Sequence, residues 1–468
     1  MIFNSKNIVK KMGRFVLPKN AIAKVGDSLS DSIFADFWNG FSFGFSKIVF
    51  EKAEDFVFLL GEADILNANG NAYAINVTEK GISISANDHR GLVMGFMTLM
   101  DKVQIDDFDD DIQVFVDCFE LVESPLIDNR MVHLCVLPET ELWELQKFVR
   151  LVGALKFSHI ILEFWGMYKF ECMNELAWPF AFSKEDMKQV INEAKTLGLE
   201  IIPMFNHWGH ATGSRVMHGK HVVLDQNPSL QTYFTEDGWC WDIKKPKVKN
   251  LLKKIREEMI DLCGEGEYFH IGCDEAYNYE LTMENIDFIS NYINEVNEEI
   301  AKTGRRTIIW GDMFLYRYSH YNPNNRYHCG APTEEAAKYF ISRIDKNIVM
   351  ADWQYNSNEA PVETVDVFLK AGFDTILCSW DRSMPKFYSC VRTIKDNNMF
   401  GMLHTTWHTL SSGTPYILLA AVACFEDAER DDLEVASTLT ASLIRKIFPS
   451  GGVYEKTGWA KYQISVIT

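Results

Sequence analysis

The chain has 468 residues, 47% hydrophobic and 24% charged, enough to bury a large core without disulfide or metal staples. Its 65 Asp and Glu against 46 Lys and Arg leave a formal charge of -19. That charge repels phosphate backbones and anionic lipid, so no nucleic-acid partner and no membrane docking are expected. Ten scattered cysteines form no CxxC pair, and the opening MIFNSKNIVKKMGRF lacks the apolar run of a leader. Reduced thiols in a cytoplasmic protein follow as the expectation. No stretch approaches the ~20 apolar residues of a membrane span.

In chain order, residues 1–125 read as a small α+β domain. Ala72–Val77 and Gly81–Ala86 are β-rich runs separated by a polar turn, a hairpin pattern. Gly91–Val103 then carries apolar residues at helical spacing. The acidic run Asp106–Asp111 reads as a solvated loop.

Residues 126–468 alternate short β-rich runs with amphipathic helical patterns. The runs are Met131–Val136, His159–Phe164, Glu200–Phe205, Tyr268–Gly272, Thr307–Trp310, Ile348–Trp353, Asp374–Trp380 and Gly401–Trp407. Between them lie helical patterns such as Glu141–Leu155, Lys184–Leu197, Lys247–Leu262, Asn285–Lys302 and Glu334–Ile344. Eight such alternations predict an α/β fold, a (β/α)8 TIM barrel preceded by the small α+β domain, with C-terminal helices closing it. A doubly wound sheet is the alternative, but no Gly-rich dinucleotide turn follows the first strand.

Active sites of such barrels lie at the C-terminal ends of the strands. That rim receives Glu163, Asn206, His207, His210, Asp274, Glu275, Trp310, Asp312, Trp353, Trp380, Asp381 and Trp407, while Arg130 stands at the start of the first strand. Carboxylates among indole rings suit a sugar, whose C–H faces lie on aromatic rings while its hydroxyls bond to charged groups. The centre is YFHIGCDEA, Tyr268–Ala276. Adjacent acids raise one another's pKa, which general-acid chemistry can use; a helix N-terminus would also favour acids there. His207 and His210 stand three apart, but a loop does not present that spacing as a helix would, so neither a metal nor a cofactor is expected.

HIGCDE resembles the His-x-Gly-Gly-Asp-Glu signature of glycoside hydrolase family 20, the β-N-acetylhexosaminidases. The stretches AYAINVTEKGISISANDHRGLVMGFMTLMDKV, FSKEDMKQVINEAKTLGLEIIPMFNHWGHA and TIIWGDMF resemble, in order, the small domain, third β/α unit and fifth strand of that family. The resemblance implies an exo-acting retaining enzyme whose substrate supplies its own nucleophile, the 2-acetamido oxygen. Asp274 would hold the acetamido group and Glu275 would act as acid and then base. Arg130 would bind the sugar's far hydroxyls, His210 would tune Glu275, and Glu163, Trp310, Trp353, Trp380, Asp381 and Trp407 would contact the sugar. The implied partner is an amino-sugar oligosaccharide or glycoside.

The chain departs from the family pattern at several points. Cys273 replaces the second signature glycine, within possible reach of thiol reagents, and Asn206 stands where an Asp is common. The second strand offers Glu163 rather than a paired Asp. Trp407 is followed by His408-Thr409 rather than Thr-Glu, and the Tyr-x-Asp element has Trp380-Asp381 or Tyr388 in its place. These leave open GlcNAc against GalNAc, a glycosidase of other sugar specificity, and a non-catalytic carbohydrate-binding barrel.

Overall fold

A computed structural model of the chain describes residues 2–448, except 6, 27–28, 30–31, 54, 70–71, 109–110, 212–222, 321, 323–326, 356–361, 381–384, 408–409, 427–429 and 431. The N-terminal part forms one eight-stranded sheet: β1 Val9–Val16, β2 Asn20–Val25, β3 Lys47–Lys52, β4 Val57–Gly61, β5 Tyr73–Thr78, β6 Gly81–Ala86, β7 Gln104–Phe108 and β8 Asp111–Glu123. The order is β1-β8-β5-β6-β4-β2-β3, with β7 also on β8. The expected hairpin is β5–β6, antiparallel with Tyr73 opposite Ala86. The acidic run is not simply a loop: Asp106 and Asp107 lie in β7, opposite Gln113 and Ile112 of β8. Alternation puts apolar partners such as Ile105, Val114 and Phe115 into those strands, and this outweighs the charge repulsion expected from composition.

Eight parallel strands then close a barrel: β9 Asn129–Val136, β10 His159–Phe164, β11 Glu200–Met204, β12 Tyr268–His270, β13 Arg306–Trp310, β14 Val349–Trp353, β15 Thr375–Trp380 and β16 Gly401–Thr405. β16 pairs with β9, so no edge remains open. The interior is a buried apolar cluster that includes Met131, Ile161, Ile202, Ile308, Trp310, Val349, Ile376 and Leu403. Around it run helices whose apolar stripes face the strands. One of them, Lys184–Thr196, is fixed at its start by a capping box between Ser183 and Asp186. None of the ten cysteines joins a disulfide. Among the described residues no helix is long and apolar enough to cross a membrane.

The small sheet meets the N-terminal face of the barrel through the helix His89–Asp101. Its His89 Nε2 and Arg90 Nε contact the carbonyls of Thr196 and Gly198 at 2.8 and 3.0 Å. At the same junction Lys156, 1% exposed, donates to the Tyr73 hydroxyl at 3.1 Å and sits over the rings of Phe3 and Phe425. Burial pulls its pKa down, only partly offset by Glu123, to about 8. The C-terminal helix Leu433–Ile447 closes over the small domain so tightly that a Cβ on Gly40 would stand 1.8 Å from the Lys446 carbonyl.

Candidate active site

The segments leaving β11 and β12 build the centre. After β12 the chain turns through Gly272, Cys273 and Glu275 with φ of 65°, 73° and 53°, and His210 on the β11 segment has φ 49°. Left-handed conformations at non-glycine residues cost about 1–3 kcal/mol each and persist where surroundings hold them. Here two close approaches do so. A Cβ on Gly272 would fall 1.5 Å from Asn206 Oδ1, and one on Gly209 would fall 1.9 Å from the Asp274 carbonyl. Glycine at both positions lets the two loops interlock, which brings His210 onto the acids. His210 Nδ1 lies 3.0 Å from Asp274 Oδ2 and 3.8 Å from Glu275 Oε2.

Burial disfavours the charged form of His210, but Asp274 and then Glu275 outweigh it and lift its pKa to about 9. The Trp239 indole lies flat against the imidazole (centroids 4.8 Å, 11°), a geometry that also favours a cation. Glu275 is pushed up by burial, with His210 lowering it and Asp274 raising it. Asp274 is buried, and its Oδ1 has no hydrogen-bond partner among the described residues. A third carboxyl, Asp312, follows β13. It accepts the backbone N–H of Glu275 on Oδ2 at 2.9 Å and the Trp353 indole N–H on Oδ1 at 3.2 Å. Burial first, then Asp274, pushes its pKa well above the ordinary range.

Aromatic rings surround these acids. Trp165 meets the edge of His210 at 5.3 Å. Trp407 contacts Trp165, Trp310 and His133 at 6.2, 6.1 and 4.5 Å. Tyr355 lies between Trp353 and Trp380, and its hydroxyl joins Thr405 Oγ1 at 2.8 Å and the Trp407 indole N–H at 3.1 Å. Glu163, at the end of β10, pairs with His133 Nε2 at 2.9 Å beneath Trp407.

Asp274, Glu275, His210 and Trp353 are thus brought together, with Trp407 and Trp380 along the same wall and Glu163 behind it. Trp310 points into the barrel interior beneath them, 4.3 Å from the His270 ring. Asp381 lies outside the described residues. Arg130 is a correction. It is the second residue of β9, at the barrel end opposite the mouth, and is buried. Its guanidinium donates to the carbonyls of Lys156, Ile127 and Asp128 at 2.8, 2.7 and 2.8 Å and approaches Met94 of the small domain. It cannot clamp a ligand at the mouth, because six further residues of strand separate it from that end. Burial brings its pKa down to about 10.

Three smaller readings change as well. Tyr388 is no stand-in for a sugar-binding tyrosine, since its hydroxyl is bound to the backbone of Arg430, between the helices Thr414–Phe425 and Leu433–Ile447. Cys273 is buried at 1% exposure, its Sγ turned to the Ile271 carbonyl, and burial raises the thiol pKa well above its ordinary value, so reagents in solvent do not meet it. His207 faces outward, accepting from Arg256 on Nε2 at 3.0 Å, and burial holds its pKa down at about 3. Sequence reasoning missed Trp239, Tyr355, His133 and His328, the last stacked on Trp353 at 4.4 Å. Only Tyr355, two residues past a strand-ending Trp, carried a positional signal.

Among the described residues three groups of donors are close enough to share a cation: His210 with Asp274 and Glu275, His133 with Cys135 and Glu163, and, at the opposite end of the barrel, His159 with Glu200 and Glu267. In the first two, the short contact already joins an imidazole to a carboxylate, and a protonated His210 has no lone pair to give on Nδ1.

The model of glycosyl hydrolase family 20, catalytic domain, matches residues 161–405, more than half of the chain. A lacto-N-biosidase of Bifidobacterium bifidum is 20% identical over 275 residues, 54% of this chain and 22% of that protein, so the chain spans about a fifth of that relative's length. Among solved structures, a β-N-acetylhexosaminidase of Streptomyces coelicolor A3(2) is similar with TM-score 0.67 at 14% identity, covering 95% of each chain. An exo-β-N-acetylglucosaminidase of Vibrio harveyi is similar with TM-score 0.64 at 16% identity, over 95% of this chain and 76% of that one. At these identities the likeness to the solved structures is one of fold.

Proposed function

The chain belongs to glycosyl hydrolase family 20, and from that premise we propose that it is an exo-acting, retaining β-N-acetylhexosaminidase that removes terminal GlcNAc or GalNAc with help from the substrate's own acetamido group. The observation that carries this reading is the division of Asp274. One oxygen is held by His210, and the other is buried with no partner, where an acetamido N–H could be received. Burial pushes the Glu275 pKa up, the direction that general-acid work requires. In the first step the acetamido oxygen attacks C1, the bond from C1 to the leaving oxygen breaks, and Glu275 gives its proton to that oxygen. Asp274 takes the amide N–H and stabilises the charge of the oxazolinium ring. In the second step water attacks C1, Glu275 takes a water proton, and the ring opens with the configuration retained. Holding nucleophile and electrophile within one molecule supplies the proximity that a protein nucleophile otherwise provides.

Trp353, Trp380 and Trp407 would line the sugar, with Glu163 and Asp381 as further contacts. The same reading divides the chain into a small domain, 1–125, and a catalytic barrel with its closing helices, 126–468. The test is a panel of aryl β-glycosides. The acetamido sugars should be cleaved far faster than the glucoside, the thiazoline analogue of GlcNAc should inhibit, and Glu275→Gln should lower kcat by about 10²–10⁴-fold. Equal rates on sugars with and without the acetamido group would overturn the reading.

A further inference from the structure

Glu275 is a non-glycine residue with φ 53°, and side chains tie down both of its peptide groups. Its N–H donates to Asp312 Oδ2 at 2.9 Å, and its carbonyl accepts the Trp239 indole N–H at 2.7 Å. Asp312 is itself anchored: it is fully buried, takes the Trp353 indole on its other oxygen, and is reached by the Tyr277 hydroxyl. A third acid buried beside Asp274 and Glu275 is electrostatically costly, so filling space does not explain it. An Asn of the same shape could satisfy only one of the two N–H donors, because its amide nitrogen would meet the other, donor against donor.

Resting on the assignment of Glu275 as the general acid, we propose that Asp312 is a positioning residue that, with the Trp239 indole, holds the Glu275 backbone in its left-handed conformation and so aims the carboxyl at the leaving oxygen. A misaimed Glu275 slows the first step only for leaving groups that need protonation, a signature that loss of stability or of sugar binding does not give; the second step, where Glu275 acts as base, is common to all of them.

The experiment compares Asp312→Asn and Trp239→Phe with the wild type on N-acetyl-β-glucosaminides bearing a poor leaving group (a second sugar) and a good one (dinitrophenol), with crystal structures of both variants. For Asp312→Asn, kcat/KM, which reports the first step, should fall about 100-fold on the poor leaving group and less than about threefold on the dinitrophenyl glycoside. Trp239→Phe, which keeps the ring on His210, should give the same pattern more weakly, and it carries the test alone if Asp312→Asn does not fold. Equal losses on both leaving groups, no loss on either, or an unchanged φ at Glu275 in crystals of the variants would overturn the proposal. A wild type that cleaves no acetamido glycoside would instead remove the general-acid assignment, and the backbone angle at Glu275 would still decide the clamp.

Discussion

Asp274→Asn removes the charge that keeps His210 protonated. The imidazole is 15% exposed, and burial works against its cation, yet the carboxylate 3.0 Å away lifts its pKa from an ordinary 6.5 to about 9. That separation corresponds to about 3 kcal/mol of net preference for the imidazolium in the folded site, what remains, once burial has opposed it, of the pull of Asp274, Glu275 and Glu163. A raised folded pKa stabilises the native state fully below the unfolded value and loses its effect as pH rises through the folded value. The wild type should therefore exceed Asp274→Asn in unfolding free energy most clearly near pH 6, with the gap closing between 6.5 and about 9. Urea unfolding at several pH values measures the gap, and NMR of 15N-histidine-labelled protein reads the His210 midpoint directly. A wild-type His210 that titrates near 6.5, a midpoint unmoved by the substitution, or a stability gap constant across pH would refute the reasoning.

Three further substitutions, one of them a control, probe how the site and the barrel floor are held. Gly272→Ala forces a Cβ to 1.5 Å from Asn206 Oδ1 at φ 65°, and should cost about 3 kcal/mol or more through strain and overpacking, read as a lowered unfolding midpoint. The same change at Gly304, with φ 82° and nothing within 4 Å, should cost only about 1 kcal/mol. Arg130→Met abandons three backbone carbonyls and should destabilise the protein by about 2–5 kcal/mol. KM for an aryl glycoside should stay unchanged, and a KM raised tenfold in a well-folded variant would return Arg130 to the sugar.

The barrel was legible because its strands are buried on both sides and so read as continuous apolar runs ended by polar residues. His159–Phe164 matches the observed β10 at both ends. The runs through Tyr268–Gly272 and Gly401–Trp407 were read two residues too long, since β12 and β16 stop where the chain turns out to build the mouth. The acids and most of the indoles were legible as strand-end residues. Arg130 was read at the start of the first strand, where it lies; its role was misassigned because the motif match carried a sugar contact to the end of the strand that faces away from the mouth. Trp239 lay beyond reach. It comes from a loop without periodicity, and its role rests on a ring stack and one indole hydrogen bond. Asp312 could be placed on the rim, but its grip on a backbone N–H 37 positions away could not be foreseen.

The junction beneath the barrel bears on how such a protein could be dissected. Arg130 and Lys156 are cations sealed under Met94, Tyr73, Phe3 and Phe425, all of which come from outside the strands they protect. Cutting away the first ~125 residues would unroof both charges, let solvent into the base of the strand ring, and bare the apolar faces that met the excised sheet. The smaller lobe is accordingly better regarded as the lid on the underside of the larger one than as a detachable accessory, and a shortened enzyme would need a replacement floor before it could be expected to stay in solution.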